Sequence, residues 1–271
     1  MTRLPQTSEL ACPDGRILRY CRYGPENGFP VIWHSGSPST RWKRADQVTA
    51  MQRSGLRLLA YDRPGYGGST RRPGRTVADA ADDARALADA QGWERFAVIG
   101  ASGGGPHALA CAALLHERVT RCAVVSGIKP ADPDHPVRDE PTVRGRLAEV
   151  AAETMARIDD GGPELPWEPG PPARDDPDAM ARLRATFVEG TDGWVDDTLA
   201  FERPWGFEPA EITVPVGIWR GDNDANVPAE HGDWLLAQMA TAKGHTFAGG
   251  HLPNADVYGE IYDWARCTDT C

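Results

Sequence analysis

Nowhere does the 271-residue chain carry an apolar run approaching the ~18 residues of a membrane-spanning helix, which excludes that class. Its first residues, MTRLPQTSEL, lack the apolar core of a secretory signal. Basic residues are in deficit, 29 Lys and Arg against 39 Asp and Glu, for a net charge of −10. This balance argues against a nucleic-acid surface, which needs clustered cations. The six cysteines, at positions 12, 21, 111, 122, 267 and 271, form no CxxC pair and no Cys/His spacing suited to a metal. They read as reduced thiols of a cytoplasmic protein, with Cys111 and Cys122 serving as small buried apolar residues and Cys271 exposed at the end. No internal repeat is found.

The acidic excess is local. Residues 129–211 hold 20 Asp and Glu against 9 Lys and Arg, and 12 of the 23 prolines. The remainder is near neutral. This divides the chain into a core, residues 1–128 and 212–271, and an acidic insertion, 129–211. Two stretches of the insertion have helical patterning, roughly 142–159 and 177–188, the second with Pro177 at a helix start. Residues 160–176 read as loop.

The core alternates buried-strand and helix patterns. Val31–His34, Leu56–Tyr61, Phe96–Ile99, Cys122–Val125 and Val214–Trp219 are the strands, with helices at roughly 40–54, 76–91 and 103–115. Apolar strands alternating with helices predict an α/β fold, a mostly parallel sheet covered on both faces. Residues 8–23, with Pro13-Asp14-Gly15 between two extended runs, predict an antiparallel hairpin at an edge. In such sheets ligands bind beyond the carboxyl ends of the strands, so those ends are where chemistry is sought.

After the Phe96–Ile99 strand comes Gly100-Ala101-Ser102-Gly103-Gly104-Gly105, then a helix. Gly100, Ser102 and Gly104 match G-x-S-x-G in the required strand–turn–helix setting, which exposes a serine above the sheet. A phosphate-binding turn is disfavoured, because the Gly-Lys-Ser/Thr ending and the G-x-G-x-x-G spacing are both missing. Serine needs a base. Of seven histidines, His251 follows a short strand and the turn Ala248-Gly249-Gly250, which puts it on a loop able to face Ser102. His107 lies on the helix behind the serine and is directed elsewhere. The acid belongs after a strand between the two, and Arg220-Gly221-Asp222-Asn223-Asp224 offers Asp222 and Asp224. Gly103, next to the serine, and Ser37, after the Val31–His34 strand, are the candidate N–H donors to an oxyanion; Pro38 has no N–H to give. Asp62 and Arg63, in YDRPGYGGS, read as pins of a glycine-rich turn rather than as catalytic groups.

Four segments, WHSGSPST, YDRPGYGGST, GASGGGPHALA and the pair WRGDNDANVP and GGHLP, resemble the α/β-hydrolase superfamily. The resemblance covers roughly 8–128 and 212–267. It is nearest the branch of esterases, proline iminopeptidases and cofactor-free haloperoxidase-like enzymes, which carry a helical cap after the sixth strand. It implies Ser102 as nucleophile, His251 as base and, from the pattern Gly221, Asp224, Val227, Pro228, Asp224 rather than Asp222 as the acid. It implies Ser37 and Gly103 as the oxyanion donors, with one departure: Ser35 stands between His34 and Gly36 where the family has a direct His-Gly pair. It implies no metal and no organic cofactor.

The expected function is a serine hydrolase cleaving an ester, thioester or related acyl compound through an acyl-enzyme. An acyltransferase, lyase or cyclase of small-molecule biosynthesis on the same fold is one alternative, and a non-catalytic ligand-binding protein is another. The expected partner is a small-molecule substrate, with no nucleic acid and no membrane; a homodimer is compatible with the sequence. The acidic insertion is expected to set the substrate, its negative field favouring a neutral or cationic acyl compound held by Trp167, Trp194 or Trp205.

Overall fold

A computed structural model describes residues 4–132, 134–159 and 177–267. The expected loop at 160–176, Trp167 and Cys271 lie outside them. Eight strands form one sheet: β1 (Ser8–Ala11), β2 (Ile17–Tyr23), β3 (Phe29–His34), β4 (Leu56–Tyr61), β5 (Phe96–Ala101), β6 (Val119–Val125), β7 (Val216–Gly221) and β8 (Ala242–Phe247). Their spatial order is β1-β2-β4-β3-β5-β6-β7-β8. β1 and β2 form an antiparallel hairpin, and β2 pairs antiparallel with β4. From β4 to β8 every pairing is parallel. The sheet order reverses between β3 and β5, where Val31–His34 runs beside Ala97–Gly100. A reversal of this kind opens a crevice at the carboxyl ends of the two strands.

The central strands are buried along their whole length, as in β5 and most of β6, because helices cover both faces. On one face lie α2 (Ala80–Ala90), α3 (Gly104–Leu114) and α7 (Ala229–Gln238), whose Ala84, Leu87, Leu109 and Leu235 pack with Ile32, Val98 and Ile218. On the other lie α1 (Ala45–Arg53) and α8 (Ala255–Arg266), whose Met51, Tyr258, Ile261 and Tyr262 pack with Trp33, Ile99 and Trp219. α8 is capped by Asn254, whose side chain accepts from the Asp256 and Val257 N–H groups. Cys111 and Cys122 are fully buried in the first core and bonded to no other sulfur.

Between β6 and β7 stand α4 (Glu140–Asp159), α5 (Pro177–Ala185) and α6 (Asp192–Glu202). The first two answer the helical patterning. α6 was not legible from periodicity, because it is buried on more than one side: Val195, Leu199 and Ala200 meet apolar groups while Asp196 and Asp197 are also inside. Among the described residues, no helix is long and apolar enough to cross a membrane.

Candidate active site

β5 and α3 meet in a turn so tight that side chains are excluded on either side of it. A Cβ on Gly100 would stand 2.2 Å from the Gly104 carbonyl oxygen, and one on Gly104 would stand 2.1 Å from that of His34. Ser102, between them, adopts φ +53°, a left-handed conformation that costs a non-glycine residue about 1–3 kcal/mol. The turn is held by Ser102 N–H donating to Val125 O at 2.8 Å and Gly105 N–H donating to Ser102 O at 2.9 Å.

His251 follows the Gly249-Gly250 turn after β8 and is largely buried. Its Nδ1 lies 2.9 Å and 3.1 Å from the two carboxylate oxygens of Asp224. An ionised carboxylate only accepts, so Nδ1 carries a proton toward Asp224. Burial works against the charge on Asp224. Hydrogen bonds from the Val227 N–H and from His251 outweigh it and hold its pKa below the usual carboxylate value. Asp222 does not reach the imidazole. Its Oδ1 accepts from Gly249 N–H at 2.9 Å, which pins the turn ahead of His251. Ser126, just past β6, secures the far side, its hydroxyl donating to the His251 carbonyl at 2.6 Å. Nothing in the sequence marked Ser126, whose φ of +48° shows only in the fold.

The loop after β3 passes directly over Ser102. A Cβ on Gly36 would stand 3.4 Å from Ser102 Cβ, and one on Gly103 would stand 2.7 Å from Ser37 Oγ. Ser37 and Gly103 are therefore neighbours beside the serine. Arg63 holds this loop from beneath, donating to the carbonyls of Ser35 and of Gly36 (3.0 Å) and to Ser37 Oγ (2.8 Å). Asp62 accepts from the Arg41 N–H at 2.6 Å and from the Arg41 guanidinium, which also donates to the Gly67 carbonyl of the glycine-rich turn at 3.3 Å. Arg63 instead serves the β3 loop, a long-range role its local motif did not reveal. His107 is buried behind the serine turn, its Nδ1 on the Gly103 carbonyl at 2.9 Å.

Ser102 and His251 line one cavity of about 280 Å³. The inserted segment contributes Arg182, Leu183, Thr186, Phe187 and Trp194 to its wall. Among the described residues no carboxylate lines the cavity, so the expected negative field has no source in that part of its wall. Three carboxylates of α6 are paired with arginines, Asp196 with Arg71 at 2.8 Å, Asp192 with Arg144 at 2.5 Å and Asp197 with both Arg63 and Arg75 at 2.6 Å. Trp205 is not in the cavity either; it packs on Phe207 in the core, with ring centroids 5.8 Å apart.

Comparison with known proteins agrees with this architecture. A family model described as alpha/beta hydrolase fold matches residues 30–158. A bifunctional esterase/perhydrolase from Acinetobacter calcoaceticus is 25% identical over 230 residues, 80% of this chain and 82% of that one. A non-heme chloroperoxidase from Streptomyces lividans is 33% identical over 119 residues, 43% of each, so this match spans less than half of that relative. The enol-lactonase structure from Burkholderia xenovorans superposes with a TM-score of 0.75 at 22% identity, covering 94% of this chain and 97% of that one. The fold is that of the α/β hydrolases.

Proposed function

We propose that this protein is a serine hydrolase cleaving carboxylic esters, thioesters or related acyl compounds, with residues 129–211 as the cap over its active site. One observation carries the reading: a buried, carboxylate-oriented imidazole, His251 on Asp224 at 2.9 Å, shares a cavity with a serine held at φ +53° on a strand–helix turn. In this reading Ser102 Oγ attacks the acyl carbonyl while His251 Nε2 takes its proton. Asp224 fixes the tautomer and stabilises the imidazolium. The N–H groups of Gly103 and Ser37 receive the developing oxyanion, each worth on the order of 3 kcal/mol in the transition state. His251 then protonates the leaving group, and water returns the free acid by the reverse sequence. The esterase/perhydrolase among the relatives supports the ester-hydrolase reading.

A fluorophosphonate probe tests this directly. Adduct formation mapped to Ser102 by mass spectrometry, and hydrolysis of p-nitrophenyl esters lost in Ser102→Ala, are the expected results. An unlabelled Ser102 with esterase activity retained in Ser102→Ala overturns the assignment. Product analysis with an added alcohol separates hydrolysis from acyl transfer.

A further inference from the structure

The cavity that holds Ser102 is walled by aromatic and aliphatic groups, among them Trp33, Trp42 and Trp194, yet it contains a buried ammonium. Lys43, in the loop between β3 and α1, is only 8% exposed and lines the cavity. Its Nζ donates to Ser35 Oγ at 2.6 Å and sits 5.0 Å from the centroid of the Trp33 ring. It makes no salt bridge among the described residues. A carboxylate whose field it feels, Asp62, is already engaged by Arg41. Arg182, from α5, lines the same cavity and adds to the positive potential at Lys43. Arg44, also in the wall, is bound to Asp46 at 2.6 Å.

An ammonium buried with no carboxylate paired to it among the described residues is costly, and an arriving anion would relieve that cost. We infer that Lys43 binds an anionic group of the substrate, so that the substrate is a short ester, thioester or lactone carrying a carboxylate. This rests on the hydrolase reading and narrows it. The cavity's volume is at the small end of ordinary ligand pockets, which suits a short acyl chain. The placement also suits it, because Ser35, which Lys43 grips, adjoins Gly36, and Gly36 lies against Ser102.

The site should be pH-sensitive. Burial pushes the pKa of Lys43 down to about 7. Arg182 from α5 and Arg63 from the end of β4 push the same way, while Asp62 from the end of β4 and Cys21 from β2 oppose them. Below this value the site is cationic; above it, the ammonium is lost unless a bound anion retains the proton.

The test compares p-nitrophenyl monoglutarate with p-nitrophenyl pentanoate, and titrates the tryptophan fluorescence of the intact protein with glutarate and with neutral glutaramide. A charge-assisted contact predicts a tenfold to hundredfold preference for glutarate over glutaramide at pH 6. The same preference is expected in kcat/KM for the monoglutarate ester, shrinking by pH 9. Lys43→Met should bring both ratios near one, and Lys43→Arg should keep them well above one. If Lys43→Met does not fold, the pH dependence in the wild-type protein decides. Glutarate binding no tighter than glutaramide overturns the proposal, as does a preference for the pentanoate ester. Failure to cleave either ester counts against the hydrolase reading alone, because the titration needs no turnover.

Discussion

Arg63, at the end of β4, and Asp197, on α6, form an ion pair of 2.6 Å in which both side chains are almost wholly buried. It joins the inserted segment to the loop over the serine. Asp197 also accepts from the Tyr66 hydroxyl at 2.9 Å, from Ser37 Oγ and from Arg75, while Arg63 carries the Ser35 and Gly36 carbonyls. The arginines hold the Asp197 carboxyl far below its usual pKa despite the burial that opposes them. The position of Ser37, one of the proposed oxyanion donors, is thus set by a residue 160 positions away in the chain.

Asp197→Asn should therefore damage both fold and turnover. Leaving two buried guanidinium groups short of a carboxylate is expected to cost about 3–5 kcal/mol of stability, read by urea denaturation. In the folded fraction kcat for a p-nitrophenyl ester should fall at least tenfold with KM changed less, because the loop carrying Ser37 loses its tether. Unaltered kcat in a destabilised protein would show that the network serves stability alone.

Ser102→Ala and Asp224→Asn should separate sharply from Asp222→Asn. Loss of the nucleophile lowers kcat by roughly 10⁶ and a mis-set histidine tautomer by roughly 10⁴ in comparable sites. Asp222 touches the Gly249 N–H and not the imidazole, so its amide variant should lose about tenfold or less. Steady-state kinetics on the three variants decides, and the reverse ranking of Asp222 and Asp224 would reassign the acid.

The contrast between these two carboxylates shows what a sequence can disclose. The sheet was readable because its strands are short apolar runs at helix-length spacing, and β4 begins and ends where Leu56–Tyr61 predicted. The serine turn was readable because close strand–helix packing demands glycine at Gly100 and Gly104. The preference for Asp224 over Asp222 came from the resemblance, through the pattern Gly221, Asp224, Val227 and Pro228, and not from the loop's own residues. The Asp197 network was hidden, since a DD pair in an acidic segment looks solvated until its arginines, Arg63, Arg71 and Arg75, fold back on it. The sign of the cavity was hidden for the same reason. Counting charge along the chain gives the net charge of a segment, not which charges are neutralised in pairs, and Lys43 is a single unremarked lysine until its surroundings are known.

Gly104→Ala should abolish soluble expression or lower the melting temperature by more than about 10 °C. Its added methyl would meet the His34 carbonyl at 2.1 Å, backbone against backbone at the junction of β3, β5 and α3. Overpacking of this kind typically costs about 1–3 kcal/mol and more when backbone must move. Gly145→Ala, in α4, meets nothing within 4 Å and is the control. There the loss of glycine flexibility in a helix should raise stability by about 0.5–1 kcal/mol. Thermal denaturation of both variants compares the two positions.

His34 makes stability depend on pH in a definite direction. It is fully buried, with the Tyr61 hydroxyl at 3.3 Å from Nδ1 and Cys111 Sγ at 3.5 Å from Nε2, and no carboxylate touches it. Burial, with a smaller push from Arg63, lowers its pKa to about 3. The unfolded chain's histidine takes a proton near pH 6.5 that the folded one refuses until about pH 3. The contribution is therefore fully present above pH 6.5 and is lost as the pH falls towards 3, by up to about 1.4 kcal/mol per pH unit. Between pH 7 and pH 5 His34 alone should remove about 2 kcal/mol. His107, whose pKa burial also depresses, adds in the same direction, whereas Asp197 acts only below the carboxylate range. Urea denaturation at pH 7 and pH 5 should show the wild-type protein losing about 2 kcal/mol more over this interval than His34→Gln. Equal losses in the two proteins would mean that His34 accepts its proton in the folded state, in conflict with its burial.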